Sequence, residues 1–201
     1  MTGRGTRWTA EGLELADGRR IRARIPLVAA GPATAEAIYG RPGAHSGADV
    51  RAACLTVALP TDGGPRFVLG RETPIYIAVP SRTATLAPTD GAVIQAMRYL
   101  GPGESGAAQR TLLEQTLDRL YPDWRAAAHT IRWLPEMIVM HHRPTAERGG
   151  LRGRTPVEPQ PGCFVAGDWV GSRGMLADAA VASAAAAAQA IDVRLTRTRA
   201  A

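Results

Sequence analysis

Asp168 is the side chain in this 201-residue sequence best placed to do chemistry. It follows Gly167 at the end of an apolar run, Cys163 to Ala166, and precedes a loop bracketed by Gly171 and Gly174. The run reads as a buried parallel strand, and from Met175 to Ile191 nothing interrupts a helix. A carboxylate at the carboxyl end of such a strand, just before a helix N-terminus, stands where open α/β sheets bind ligands. The bland alternative for Asp168 is a helix cap or a solvated carboxylate. Asp178 falls in the first helical turn, where the helix dipole alone favours an acid, so capping and ligand roles both stay open.

Other reactive groups carry weaker signals. His141 and His142 would point to opposite faces of a strand, which separates them, and no acidic partner is indicated. Structural or surface roles are expected for both. Cys54 and Cys163 sit inside apolar runs and read as buried, reduced thiols. No CxxC or Cys/His cluster suggests a metal. Tyr76, Tyr99 and Trp133 are candidates for lining a substrate cavity, although aromatics on such strands are more often core. Arg148, Arg152 and Arg154 lie in a glycine-rich stretch that reads as a solvated loop rather than a phosphate site. No residue is singled out as catalytic.

The elements that must position these groups follow from local pattern. Residues 12–24 read as a hairpin turning at Asp17–Gly18. An apolar strand from Ile25 to Ala30, a Gly31–Pro32 break and a short helix to Tyr39 come next, then a loop over 40–49. Between about 52 and 100, strand-like runs alternate with DGG, RETP and APTDG turns, which favours an antiparallel or mixed sheet. A helix is expected after Ser105, a plausible N-cap, with Leu113, Leu117 and Leu120 on one face and Pro122 ending it. Residues 127–143 are strand-like on both sides of Pro135, and 144–162 read as a loop. The strand at 163–167 is expected beside the strand at 25–30, in a small sheet apart from the strands of 52–100.

Strand, Gly-Asp, glycine loop and small-residue helix, in that order, resemble the C-terminal flavin-binding motif of the FAD-dependent amine oxidase and phytoene desaturase superfamily. Residues 17–30 likewise resemble the point where that family's chain re-enters its FAD domain, with Arg24-Ile25-Pro26 in place of the usual Ala-Asp. The resemblance implies FAD as cofactor, held by Gly167, Asp168, Gly174, Met175, Leu176, Ala177 and Asp178. Against the family's G-A-x-x-S-G helix, Ala179, Ala180, Ser183 and Ala184 occupy the matching positions. It implies an α+β chain: an α/β FAD-domain remnant over 1–40 and 155–201, and a mixed or antiparallel substrate-domain sheet over 41–154. It further implies hydride transfer to flavin from a small-molecule substrate, apolar or amine-type. The family's opening strand–GxGxxG–helix unit is absent; Gly3 and Gly5 come closest. The chain is therefore expected to be the C-terminal portion of a flavoenzyme, with a separate N-terminal Rossmann-type chain as a possible partner. The alternative is a non-catalytic remnant or interaction subunit docked on a nucleotide-binding chain.

Composition narrows the remaining classes. The chain carries 24 basic and 18 acidic residues, a formal +6. All the basic residues are arginine, there is no lysine or asparagine, and the arginines are scattered. That pattern fits a GC-rich genome rather than a phosphate-binding face, and argues against a nucleic-acid partner. The absence of lysine excludes a Schiff base. It also disfavours the amine-oxidase subtype in which a lysine holds a water at the flavin. No signal-peptide core opens the sequence, and the 175–191 helix contains Asp178, Ser183 and Gln189 and is too alanine-rich and short to span a bilayer, so no transmembrane segment and a cytoplasmic location are expected.

Overall fold

The computed structural model describes residues 3–9, 12–40 and 49–200. The loop expected at 40–49 lies mostly outside the described residues. In chain order the elements begin β1 Gly5–Thr9, β2 Gly12–Leu15, β3 Arg20–Ile21, β4 Leu27–Val28, α1 Pro32–Tyr39 and β5 Val50–Leu59. There follow β6 Phe67–Leu69, β7 Ile75–Ala78, β8 Ala92–Leu100, α2 Arg110–Leu120 and α3 Trp124–Ala127. The chain closes with β9 Thr130–Met140, β10 Phe164–Val165 and α4 Ala177–Ala200. The class is α+β. Two compact units form: Met1–Asp49 with Met140–Ala201, and Val50–Val139. Residues 140–154, grouped with the sheet in the sequence reading, thus fall in the first unit.

The second unit is a five-stranded sheet in the order β6-β7-β8-β5-β9. β5 and β8 run antiparallel over nine residue pairs, from Arg51↔Leu100 to Leu59↔Ala92. Alternation sends Leu55, Val57, Ile75, Ile77, Ile94 and Ala96 to one face. Leu113 and Leu117 of α2 bury themselves against that face, and Tyr121 and Trp124 close the end of the same core. The opposite strand positions carry Cys54, Thr56, Tyr76, Gln95, Met97 and Tyr99. Tyr76 and Tyr99 are half-buried, and Trp133 packs partly buried against the core.

One local expectation is corrected here. α2 begins at Arg110, after a turn of 3-10 helix at Ala107–Gln109, and Ser105 does not cap it. Pro135 lies within β9, an edge strand of the sheet, in keeping with the strand-like pattern on both sides of it.

The first unit contains an antiparallel sheet β1-β2-β3 and a separate parallel pair, β4 with β10. Phe164 stands opposite Leu27 and Val165 opposite Val28. The strand before Asp168 is therefore beside the strand near residue 27, as its apolar run and following glycine suggest. On one side of the pair, Ala35 of α1 packs with Val165, Trp169 and Val170. On α4 the buried positions Ala179, Ser183 and Ala187 recur every fourth residue, giving an inward stripe of small side chains. α4 runs beyond Ile191 because Asp192 to Arg199 offers neither glycine nor proline to stop it.

Two outcomes follow from this packing. Leu117→Ala should cost about 2–5 kcal/mol in urea unfolding, as expected for a fully buried leucine. Leu86→Ala, at a position 56% exposed, should lie within about 0.5 kcal/mol of the parent. Burial also pushes the Cys54 thiol up to about 11 from its ordinary 9.0. Its contribution to stability is complete below pH 9.0 and is lost as pH rises through about 11. Iodoacetamide at pH 8 should leave Cys54 unmodified in the native chain and label it after denaturation, read by peptide mass.

Candidate functional site at the end of the parallel pair

β4 and β10 run in the same direction, so their carboxyl ends open on one side, and each leads toward a helix. Val28 leads through Ala29 and Ala30 to Gly31, the residue before α1. Val165 leads through Ala166 to Gly167 and Asp168. Three contacts fix this end. The Ser183 hydroxyl oxygen accepts the Gly167 N–H at 3.0 Å, and its one proton serves the carbonyl of Gly167 or Ala180. The indole N–H of Trp169 donates to the Ala30 carbonyl at 3.1 Å. The Tyr39 hydroxyl donates to the Phe164 carbonyl at 2.6 Å. Burial raises the Tyr39 phenol well above its ordinary value, so it stays protonated and donating.

Asp168 does not stand alone. Its Oδ2 accepts the backbone N–H of His141 at 2.9 Å, and its Oδ1 lies 2.9 Å from the His141 Nδ1. This overturns the expectation that the histidine has no acidic partner. β9 ends at Met140, so His141 has left the strand and strand alternation no longer sets its direction. A carboxylate oxygen only accepts, so the Nδ1 carries the proton and Nε2 is the basic nitrogen. The ring sits over Gly31: a Cβ there would come within 2.9 Å of His141 Nε2. A glycine is needed at that turn for the imidazole to lie where it does. His142 is a different case, 3% exposed and buried in the protein.

Arg154 is a second correction. It is 5% exposed, not part of a solvated loop, and its Nη1 donates to the Gly174 carbonyl at 2.9 Å. Burial lowers its basicity, opposed by the negative charge of Asp168. Arg154 thus ties the loop before β10 to the residues leading into α4. Those residues, Gly174, Met175, Leu176, Ala177 and Asp178, are exposed. Leu176 has a φ of 53°, a left-handed conformation that costs a branched side chain roughly 1–2 kcal/mol. The structure therefore brings Gly167 and Asp168 together with His141 and Gly31. It connects Gly174 to them through Arg154, and leaves Met175 to Asp178 presented at the start of α4.

The chemistry available is that of a paired carboxylate and imidazole, which can hold a hydroxyl-bearing ligand or accept a proton at Nε2. Among the described residues no group of three or more His, Cys, Asp or Glu is placed to hold a metal ion. None of the described helices is long and apolar enough to cross a membrane. No family model matches the sequence. No curated protein matches it either. Among solved structures, the crystal structure of Klebsiella pneumoniae R204Q HpxO complexed with FAD is similar at 14% identity and a TM-score of 0.44. That match covers 82% of this chain and 42% of the HpxO chain, so the present chain spans less than half of its neighbour's length.

The pairing is open to a direct check. Long-range nitrogen–proton NMR should find His141 as the Nδ1–H tautomer in the parent and should lose that signature in Asp168→Ala. An unchanged tautomer would mean that the carboxylate does not orient the ring.

Proposed function

We propose that the chain is the C-terminal part of a flavin-dependent oxidoreductase and that the end of the β4–β10 pair contributes to an FAD site. The observation that carries this reading is Asp168, half-buried at the carboxyl end of a parallel strand, with α4 opening nine residues later. Asp168 would accept a ribityl hydroxyl. Its two oxygens already take two hydrogen bonds from His141, but a carboxylate offers about four lone-pair sites, so capacity remains. The start of α4 is close-packed: a Cβ on Gly174 would fall 2.9 Å from Asp178, and the N–H groups of Asp178 and Ala179 both donate to the Met175 carbonyl. The Met175 and Leu176 side chains are exposed there. Asp178 in that turn offsets part of the positive helix end.

When bound, FAD would supply the hydride acceptor, which is why no single acid or base need dominate. The chain's own groups would orient it: Ser183 by holding Gly167, His141 by holding Asp168, and Arg154 by holding Gly174. The substrate of such a reaction would be a small molecule, apolar or amine-type. With no lysine in the chain, the reading favours a desaturase- or dehydrogenase-like reaction.

One observation favours a second reading. Among the described residues the parallel sheet has two strands, and Leu27 at its margin is 45% exposed. Further strands would complete it, from the same polypeptide or from a separate Rossmann-type chain to which this one would be a docking subunit.

Flavin titration separates these readings. In the polypeptide that completes the sheet, Asp168→Ala should weaken FAD binding about ten- to a hundred-fold, for a charged hydrogen bond worth roughly 1.5–3 kcal/mol. Equal affinity in parent and variant would sink the flavin role of Asp168. Binding of a partner without flavin uptake by the complex would favour the docking reading.

A further inference from the structure

We propose that β6 is a pairing edge for a second copy of this chain, the two β6 strands joining antiparallel about a two-fold axis at Val68. β6 is a free edge of the five-stranded sheet. The other edge strand, β9, carries Arg132, Pro135 and Glu136, residues of the kind that discourage further pairing. β6 is Phe-Val-Leu, with neither charge nor proline, and its Phe67 and Leu69 are 55% and 66% exposed.

Which backbone groups face outward follows from the register. β6 pairs antiparallel with β7, Phe67 opposite Ala78 and Leu69 opposite Tyr76. The Gly70 N–H donates to the Ile75 carbonyl at 2.8 Å, and the Val79 N–H to the Arg66 carbonyl at 3.2 Å. Bonded and non-bonded pairs alternate along an antiparallel ladder, so Arg66, Val68 and Gly70 turn their backbone groups toward β7. Phe67 and Leu69 turn their N–H and carbonyl groups to the open side, where another strand can meet them.

The ends of this edge select one register. At one end Pro65 has no N–H, and its carbonyl already accepts the Tyr121 hydroxyl at 2.6 Å. At the other the chain leaves the strand at Gly70 and turns back to Ile75. Phe67 opposite Phe67 of the second copy would set Leu69 against Pro65. Leu69 opposite Leu69 would set Phe67 against Arg71, in the turn. Phe67 opposite Leu69 is the register that matches every outward donor with an outward acceptor. It also sets a ring beside an aliphatic side chain on the open face, where the Phe67 ring stands edge-on to Tyr76 with centroids 5.3 Å apart. Arg66 then comes opposite Gly70, so like charges do not meet. On the helix side, a shallow hollow lined by Val68, Gly70, Ile75 and Thr116 leaves the edge uncovered by α2. The edge is three residues long, against roughly 20–30 residues a side in a stable interface, so the dimer is weak and concentration-dependent. It lies wholly within the five-stranded sheet and does not rest on the flavin reading.

Sedimentation equilibrium of the full chain, from about 10 µM to about 1 mM, spans the affinities of such a pair. A reversible monomer–dimer equilibrium is expected. Amide exchange read by NMR should find Phe67 and Leu69 unprotected at the lowest concentration and protected about tenfold or more at the highest. The Val68 amide, turned to β7, should be protected throughout. Leu69→Pro removes an outward N–H and no bond to β7, so it should weaken association about tenfold or more while leaving the fold intact. Leu69→Lys keeps the backbone, should weaken association likewise, and covers a proline variant that does not fold. Val181→Lys, on the exposed side of α4, should leave association unchanged. A monomer at every concentration, a dimer insensitive to both Leu69 variants, or a dimer lost in Val181→Lys would each overturn the proposal. So would protection of the Phe67 and Leu69 amides at the lowest concentration, which would mean that something other than a second copy covers the edge.

Discussion

The short parallel pairing of β4 with β10 is the constraint on which the rest of its unit depends. Two residue pairs, Phe164 with Leu27 and Val165 with Val28, join segments far apart in sequence. Two ladder pairs are too little to stand alone, so the pairing leans on what surrounds it. The Trp169 indole reaches the Ala30 carbonyl, Tyr39 reaches the Phe164 carbonyl, and Ser183 grips both backbone groups of Gly167. Tyr39 and Ser183 tie β10 and the residues after it to α1 and α4, and the Trp169 indole ties together the segments that follow the two strands. The polar chemistry of this region is thus also its scaffold, and a buried hydrogen bond here does structural and positional duty together.

A line of charge runs through the same place. Asp168 holds His141 directly and tempers the cost of burying Arg154 at longer range. One carboxylate therefore supports an imidazole on one side and a guanidinium on the other. Removing it would disturb the imidazole and the guanidinium at once, so single substitutions at 168 report on a network rather than a contact.

Much of the second unit was legible in the sequence because its information is local. Alternating Ile75, Ile77 and Val79, and leucines spaced for one helix face, dictate strands and a helix that bury the same side. The Gly-Asp ending of β10 and the uninterrupted α4 were legible for the same reason. Asp168 and His141 were individually visible, but their contact was not. They lie 27 residues apart, and one of the two bonds uses a backbone N–H, which no residue type announces. Arg154 was hidden differently. In a chain whose cations are all arginine and lie mostly at the surface, nothing local marks the one that the fold encloses.

The inward stripe of α4 has a further consequence. Ala179, Ser183 and Ala187 bring almost no side-chain volume to the seam against β10, so backbone meets backbone nearly directly. A seam of large side chains can absorb an altered residue by rotating its neighbours, but this one has no such slack. Any enlargement at those three positions must be taken up as a rigid lift of the helix, carrying Gly167 and the carboxylate after it. Tolerance to change along α4 should therefore be sharply one-sided, broad on its outer faces and nearly nil along a single line of small residues.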